Sequence, residues 1–323
     1  MNQIVSRGHT RPLTEVSFVS DGPGRTLLVS SAHDKLPQIR NGETGDWVGS
    51  FSGHKGAVWS LKVDKLSRTL AASASGDFTA KLWCASTGKE LHEFKHKHVV
   101  KSVDFAPDSE SFATGCQDGL MRIFSTVEPN REAVEYKVSA ETADGITKLL
   151  WSSENTVIIG KRSGYVELWD KRVPGDQGAV SRVLVPGDGS PVQDLELNET
   201  GAATGGRPSV LIASGTKVSM ITAMDLAIIQ EYSMPSPMTF KEEGGASLHP
   251  DGTKFLAGGS DLWLREFDVK SGEVLRTFKG HHGPIRAVRY HPGGNVGASG
   301  SEDATIRLFD LTVDPLEGGS SGP

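Results

Sequence analysis

The sequence predicts an all-β protein, a seven-bladed β-propeller. Three observations point there. One phrase occurs twice, as GHKGAVWSLKV at Gly53 to Val63 and as GHHGPIRAVRY at Gly280 to Tyr290. Aspartates in turn-like phrases recur as SSAHD (Asp34), SASGD (Asp77), TGCQD (Asp118), AGGSD (Asp261) and SGSED (Asp303); the first three lie 43 and 41 residues apart and the last two 42. Between them run short stretches of period-two alternation and no helical period of useful length, the pattern of half-buried strands between turns.

The repeats follow in order. A large aromatic stands six residues past the turn aspartate at Trp83, Phe124, Phe267 and Phe309. The gap from Asp118 to Asp261 leaves room for two repeats without the aspartate. In one of them Ser163 takes its place and Trp169-Asp170 follows six on; the other is PVQDLELN, Pro191 to Asn198, with VLIASGTKVSMI, Val210 to Ile221. Each repeat holds four alternating stretches, which in the second are VWSLKV, TLAASA, AKLW and ELHEF, bounded elsewhere by turns such as APDS and HPDG. Four strands per unit at this period are the blades of a propeller, each burying its faces against its neighbours around a channel. The expected domain is a single one over residues 1–313, with an unstructured tail at 314–323.

Composition narrows the function. The chain has 323 residues, 23% of them charged, with a net charge of −6, so it lacks the basic footprint of a nucleic-acid binder. Its 38 glycines favour tight turns over long helices. Two cysteines, Cys84 and Cys116, make no disulfide framework and suit a reducing compartment. MNQIVSRGHT lacks the apolar core of a signal peptide, and no apolar run approaches the ~18 residues a bilayer demands. Cytosol or nucleus is the expected home, where the sequon at Asn198 stays unmodified.

The Gly-His, the turn aspartate and the terminal Trp-Asp resemble the signature of the WD-repeat family. Literal Trp-Asp stands only at Trp169-Asp170; elsewhere the pair is Trp83-Cys84, Phe124-Ser125, Phe267-Asp268 and Phe309-Asp310. The resemblance implies closure of the ring by the start of the chain, Gln3 to Ser6, as the outer strand of the last blade. It also implies that histidine, hydroxyl, aspartate and indole hydrogen-bond through each blade. That set is complete in the second repeat as His54, Ser73, Asp77 and Trp83. It is partial as His9, Ser30 and Asp34, as His98, Thr114 and Asp118, and as His281, Ser299 and Asp303; the sixth repeat has Ala257 for the hydroxyl.

A Ser, His, Asp set also suggests a hydrolase, but a catalytic triad would occur once, and a buried carboxylate needs such partners for stability alone. The expectation is therefore no enzyme and no cofactor. HKH at His96 to His98 and His281-His282 do not make a metal site, because neighbours on a strand point to opposite faces. DGPG and GDGS lack the strand-to-helix context of a phosphate cradle. Cys84, in the Trp-Asp position, reads as an inert thiol.

What remains is surface. A propeller offers one rim residue per blade at the channel mouth, just after the first core position of the inner strand: Thr14, Trp59, Lys101, Thr147, Gln193 and Arg286. The sixth blade resists alignment because FKEEGGASL carries extra glycine and acid. Trp59 beside Lys101 and Arg286 combines an aromatic with cations, a mixture enriched at binding hot spots, although a tryptophan there can equally pack over its neighbour blade.

Longer phrases narrow the resemblance. SRGHTRPLTEVSF, NGETGDWVGSFSGHKGAVW, ASGDFTAKLW, HKHVVKSVDF, ASLHPDG and KGHHGPIRAVRYHPGG, spread over nearly the whole chain, resemble one branch of WD-repeat proteins. Its members are non-catalytic subunits of the survival-of-motor-neuron complex, which loads Sm proteins onto spliceosomal small nuclear RNAs beside Gemin proteins; animal members also act in kinase-receptor signalling. The resemblance implies Gemin and other complex subunits as protein partners, with no direct nucleic acid, membrane or small-molecule substrate. The rival branch supplies the WD-repeat subunit of translation initiation factor three. Gly42 to Phe51 and HKHVVKSVDF favour the first, and repeats four and five match poorly.

Overall fold

The alternating stretches form strands, and the strands form seven four-stranded antiparallel sheets arranged as the blades of a ring. The computed structural model describes residues 3–20, 24–138, 144–173, 175, 177–185 and 189–312. The expected tail at 314–323 lies outside the described residues. Helix is confined, among those residues, to one 3-10 turn at Ala202–Thr204.

Each blade begins with the strand that lines the channel: Leu13–Ser20, Val58–Val63, Val100–Phe105, Ile146–Trp151, Val192–Asn198, Gly245–Leu248 and Ile285–Tyr290. Chain order runs outward within a blade. The last blade breaks that rule, because its outermost strand is Gln3–Ser6, paired antiparallel to Ile306–Asp310 with Gln3 opposite Phe309 and Ser6 opposite Ile306. The two ends of the chain thus share one sheet, which closes the ring.

Seven apolar clusters hold the ring together, one per blade interface. Between the first and second blades lie Val29, Ile39, Phe51, Leu61 and Trp83. Between the fifth and sixth lie Met220, Tyr232, Met238, Phe240 and Phe255. The repeat aromatics Trp83, Phe124, Trp169, Phe267 and Phe309 are all buried in such interfaces. Every sheet is therefore covered on both faces, which is why its middle strands are buried at nearly every position rather than at alternate ones.

Candidate functional site

The Gly-His phrase marks where the chain crosses onto a new blade. Gly53 has φ +155°, and a Cβ there would sit 2.8 Å from the Glu90 carboxylate and 3.2 Å from the Trp83 ring. Glycine lets the next residue, His54, pass over that tryptophan. A single chain of hydrogen bonds follows. Trp83 Nε1 donates to Ser73 Oγ at 2.8 Å, Ser73 Oγ lies 2.6 Å from His54 Nε2, and His54 Nδ1 lies 2.8 Å from Asp77 Oδ2. With the indole as donor, the serine hydroxyl is free to donate to Nε2, which leaves Nδ1–H for the carboxylate. Asp77 also accepts from the Lys55 and Thr79 amides and the Thr79 hydroxyl. Burial works against its charge, but the His54 and Thr79 hydrogen bonds outweigh that and hold the carboxyl far below the usual range.

The same bonds recur with gaps. His9 joins Asp34 at 2.7 Å and Ser30 at 2.9 Å, and His281 joins Asp303 at 2.9 Å and Ser299 at 2.7 Å. In the first blade the aromatic position holds Arg40, buried and donating to Ser6 Oγ of the closing strand at 2.8 Å. The third blade requires a correction. The histidine that reaches Thr114 is His96, at 2.9 Å through Nε2, not His98, whose Nδ1 accepts from the Val99 amide. Asp118 pairs with Arg122 at 2.9 Å instead of with a histidine. Spacing holds the missed signal: His9, His54, His96 and His281 each stand four residues before the first inner-strand core residue, whereas His98 stands two before it. Burial pushes the His96 imidazole down to about 4. In the fourth blade Trp169 Nε1 donates to Glu167 at 2.9 Å, while Lys161 joins Glu167 to Asp144, whose carboxylate receives the Ser163 amide.

A second polar system escaped the sequence reading. Inner strands have no partner on their channel side, so their outward amides need acceptors. Side chains of the preceding blade supply them. Glu15 accepts from the Leu61 amide, Ser102 from Leu149, Asp104 from Trp151, Glu196 from Leu248 and Ser247 from Tyr290. Basic residues balance these acids. Lys62 lies 2.7 Å from Glu15, and Arg289 grips Asp194 through two bonds of 2.6 and 2.8 Å. Burial opposes ionisation of Glu15, yet Lys62 and Lys148 bring it down to about 2; at Glu196 burial prevails and the carboxyl is raised.

The six rim residues converge on one cavity of about 170 Å³ at the channel mouth, shared with Lys148, Glu242 and Glu243. Backbone geometry explains the convergence. Inner-strand pairing skips Thr14, Trp59, Lys101, Thr147, Gln193 and Arg286, each being the extra residue of a β-bulge. A bulge re-aims its side chain, here from the blade face to the mouth. In the sixth blade Gly245 pairs with Gly258, which puts Gly244 at the rim and the acids before it.

Most of the rim is engaged internally. Thr14 donates to the Val58 carbonyl, Thr147 to Gly160 and Gln193 to Lys241. Arg286 is paired with Glu243 and Glu302. Trp59 packs edge-on to His33 at 4.8 Å and carries the Lys101 ammonium 2.9 Å from its ring centroid. Burial, with Lys148, Arg286 and Arg162 nearby, pushes Lys101 down to about 7, while the ring face beneath it favours the charged form. The mouth therefore offers a half-buried aromatic capped by a cation of adjustable charge, among acids that neutralise its neighbour.

Comparison with known proteins agrees with this geometry. The WD domain, G-beta repeat family matches residues 45–84, 88–125 and 272–310. Each window takes the outer strand of one blade and three strands of the next, so the sequence repeat is offset from the blade and staples neighbours together. The chain is a WD-repeat propeller, a scaffold fold. Serine-threonine kinase receptor-associated protein of Gallus gallus is 40% identical over 315 residues, which cover 98% of this chain and 84% of that protein. The Dictyostelium discoideum protein of the same name is 34% identical over 308 residues, covering 95% and 98%. The chain belongs to this family of serine-threonine kinase receptor-associated proteins. More distantly, subunit I of eukaryotic translation initiation factor 3 from Caenorhabditis elegans is 28% identical over 343 residues, covering 98% of each chain.

Proposed function

We propose that this chain is a non-catalytic subunit of the survival-of-motor-neuron complex, assisting Sm-core assembly on spliceosomal small nuclear RNAs in cytoplasm and nucleus. The observation that carries the reading is the identity to kinase receptor-associated proteins, 34–40% across almost the whole chain, against 27–28% to the initiation-factor subunit. In support, the Ser-His-Asp sets are buried between blades and repeated, so they serve as cement rather than as a reactive centre. The rim supplies the contact: Trp59 and Lys101 form its core, and Gemin-type protein subunits are its partners. Net charge −6 argues against autonomous RNA binding.

Affinity purification from the native cells, read by mass spectrometry, tests both levels. Gemin and Sm proteins in the eluate support the proposal. Initiation-factor subunits without them assign the chain to the rival role. Trp59→Ala should remove the partner with little change in melting; an unchanged eluate moves the interface away from the mouth.

A further inference from the structure

An exposed aromatic at a turn and a histidine displaced from the repeat pattern meet at one place on the surface. The turn between the second and third strands of each blade needs a residue in the left-handed region, which the third and fourth blades fill with Gly119 and Gly164. The first, sixth and seventh blades use Lys35, Leu262 and Ala304, and the second puts an aromatic there, Phe78, at φ +68° and 45% exposed. A bulky side chain in that region is strained, and burial does not compensate it here. The displaced histidine is His98. Because His96 takes the Thr114 hydroxyl, His98 stays on the surface, where its ring lies 5.7 Å from that of Phe78 with the planes 33° apart.

Sheet order puts these groups on the same face as the rim, farther from the axis. Beside Phe78 lies a cleft of about 360 Å³ whose walls include Lys55, Lys95 and His96. Lys55, Lys95 and Lys97 are exposed and make no ion pair among the described residues, while the other cleft lysine, Lys81, is held by Glu90 and Glu93 at 2.8 Å each. In a chain of net negative charge this is a local concentration of unpaired cations around two exposed rings. Sites where a sequence breaks a local rule without structural gain are where function is expected.

We propose that the Phe78–His98 surface is a second docking site, distinct from the channel mouth, for a linear acidic peptide segment of a partner protein. An apolar side chain of the segment packs on Phe78 and His98, and flanking carboxylates meet Lys55, Lys95 and Lys97. A single-stranded nucleic acid fits less well, because its unbroken phosphates would face the Asp77 and Glu93 carboxylates that also wall the cleft.

Phe78→Gly gives a clean test, since glycine adopts this backbone freely and should leave the melting temperature unchanged or higher. Random peptides of about a dozen residues are displayed against the full chain and counter-selected on Phe78→Gly, and the survivors are measured by fluorescence anisotropy beside decauridylate. The expected survivors are acidic with an apolar residue, bind the parent at least about tenfold more tightly than Phe78→Gly, and weaken again on Lys55→Glu or Lys97→Glu. The proposal fails if no peptide distinguishes the two proteins, if those that do are neutral or basic, or if decauridylate binding is what Phe78→Gly removes.

Discussion

The second and fifth blades solve one packing problem in opposite ways. Register aligns Ser73 of the second with Ile212 of the fifth, each opposite a leucine of its inner strand. It likewise aligns Trp83 with Ile221. All four side chains are essentially inaccessible. In the second blade the hydroxyl and indole join His54 and Asp77 in a saturated chain of hydrogen bonds; in the fifth the same space is filled by aliphatic carbon. A buried network can be kept whole or replaced whole at similar cost, and it is the half-removed state that is expensive. The fifth blade keeps its polar contacts at the channel instead, where Asp194 and Glu196 share Arg289.

The comparison is broken most forcefully at Arg289. Arg289→Ala leaves the buried Asp194 carboxylate without its cation and takes the charge away from half-buried Glu196, and should cost about 3–5 kcal/mol in urea unfolding. Next comes Ser73→Ala, which orphans the His54 Nε2 and Trp83 N–H groups together and should cost about 1–3 kcal/mol. Ile212→Ser puts a hydroxyl in the same place without partners and should cost at least as much; a serine accepted there without loss would mean that the fifth blade is not tightly packed.

Acid sharpens the contrast. Asp77 and Asp303 titrate lower in the folded protein than their ordinary 3.8, so their stabilisation is complete above that pH and disappears as pH falls through the folded values. Glu196 has the opposite sign. Its folded carboxyl titrates above 4.5, so its contribution is greatest below that pH and is lost as pH rises through the folded value. Asp77→Asn should therefore flatten the acid limb of a stability–pH curve, whereas Glu196→Gln should gain on the parent as pH rises above 4.5. The smallest effect belongs to Lys65–Glu199, the one ion pair among the described residues that spans the two blades. With side chains 78% and 67% exposed, its loss in Lys65→Ala should change stability by less than about 0.5 kcal/mol.

Much of this was legible in the sequence, for identifiable reasons. Strand period and turn aspartates are local signals; five aspartates, with the two repeats that fit between Asp118 and Asp261, give seven blades. The rim positions follow from counting past the first core residue, although only the structure shows that a bulge turns them toward the mouth. The sequence points to His98 because its nearness to His96 hides the four-residue spacing that places the working histidine. The acids that bridge inner strands could not be read, since a strand sequence does not say which neighbouring amide its outward side chains meet. Arg40 sits where an aromatic belongs, and its partner Ser6 comes from the closing strand, a contact no local pattern encodes.

Hydrogen exchange followed by mass spectrometry, blade by blade, tests most directly the claim that the repeated polar chains are cement. Amides of Leu70–Ser75 and Thr79–Cys84 should be the slowest of the molecule, and those of the fourth and fifth blades the fastest among middle strands. If Ser209–Ser214 and Lys217–Thr222 of the fifth blade exchange more slowly than the second, the polar chains add no rigidity beyond what the apolar interfaces already give, and the claim fails.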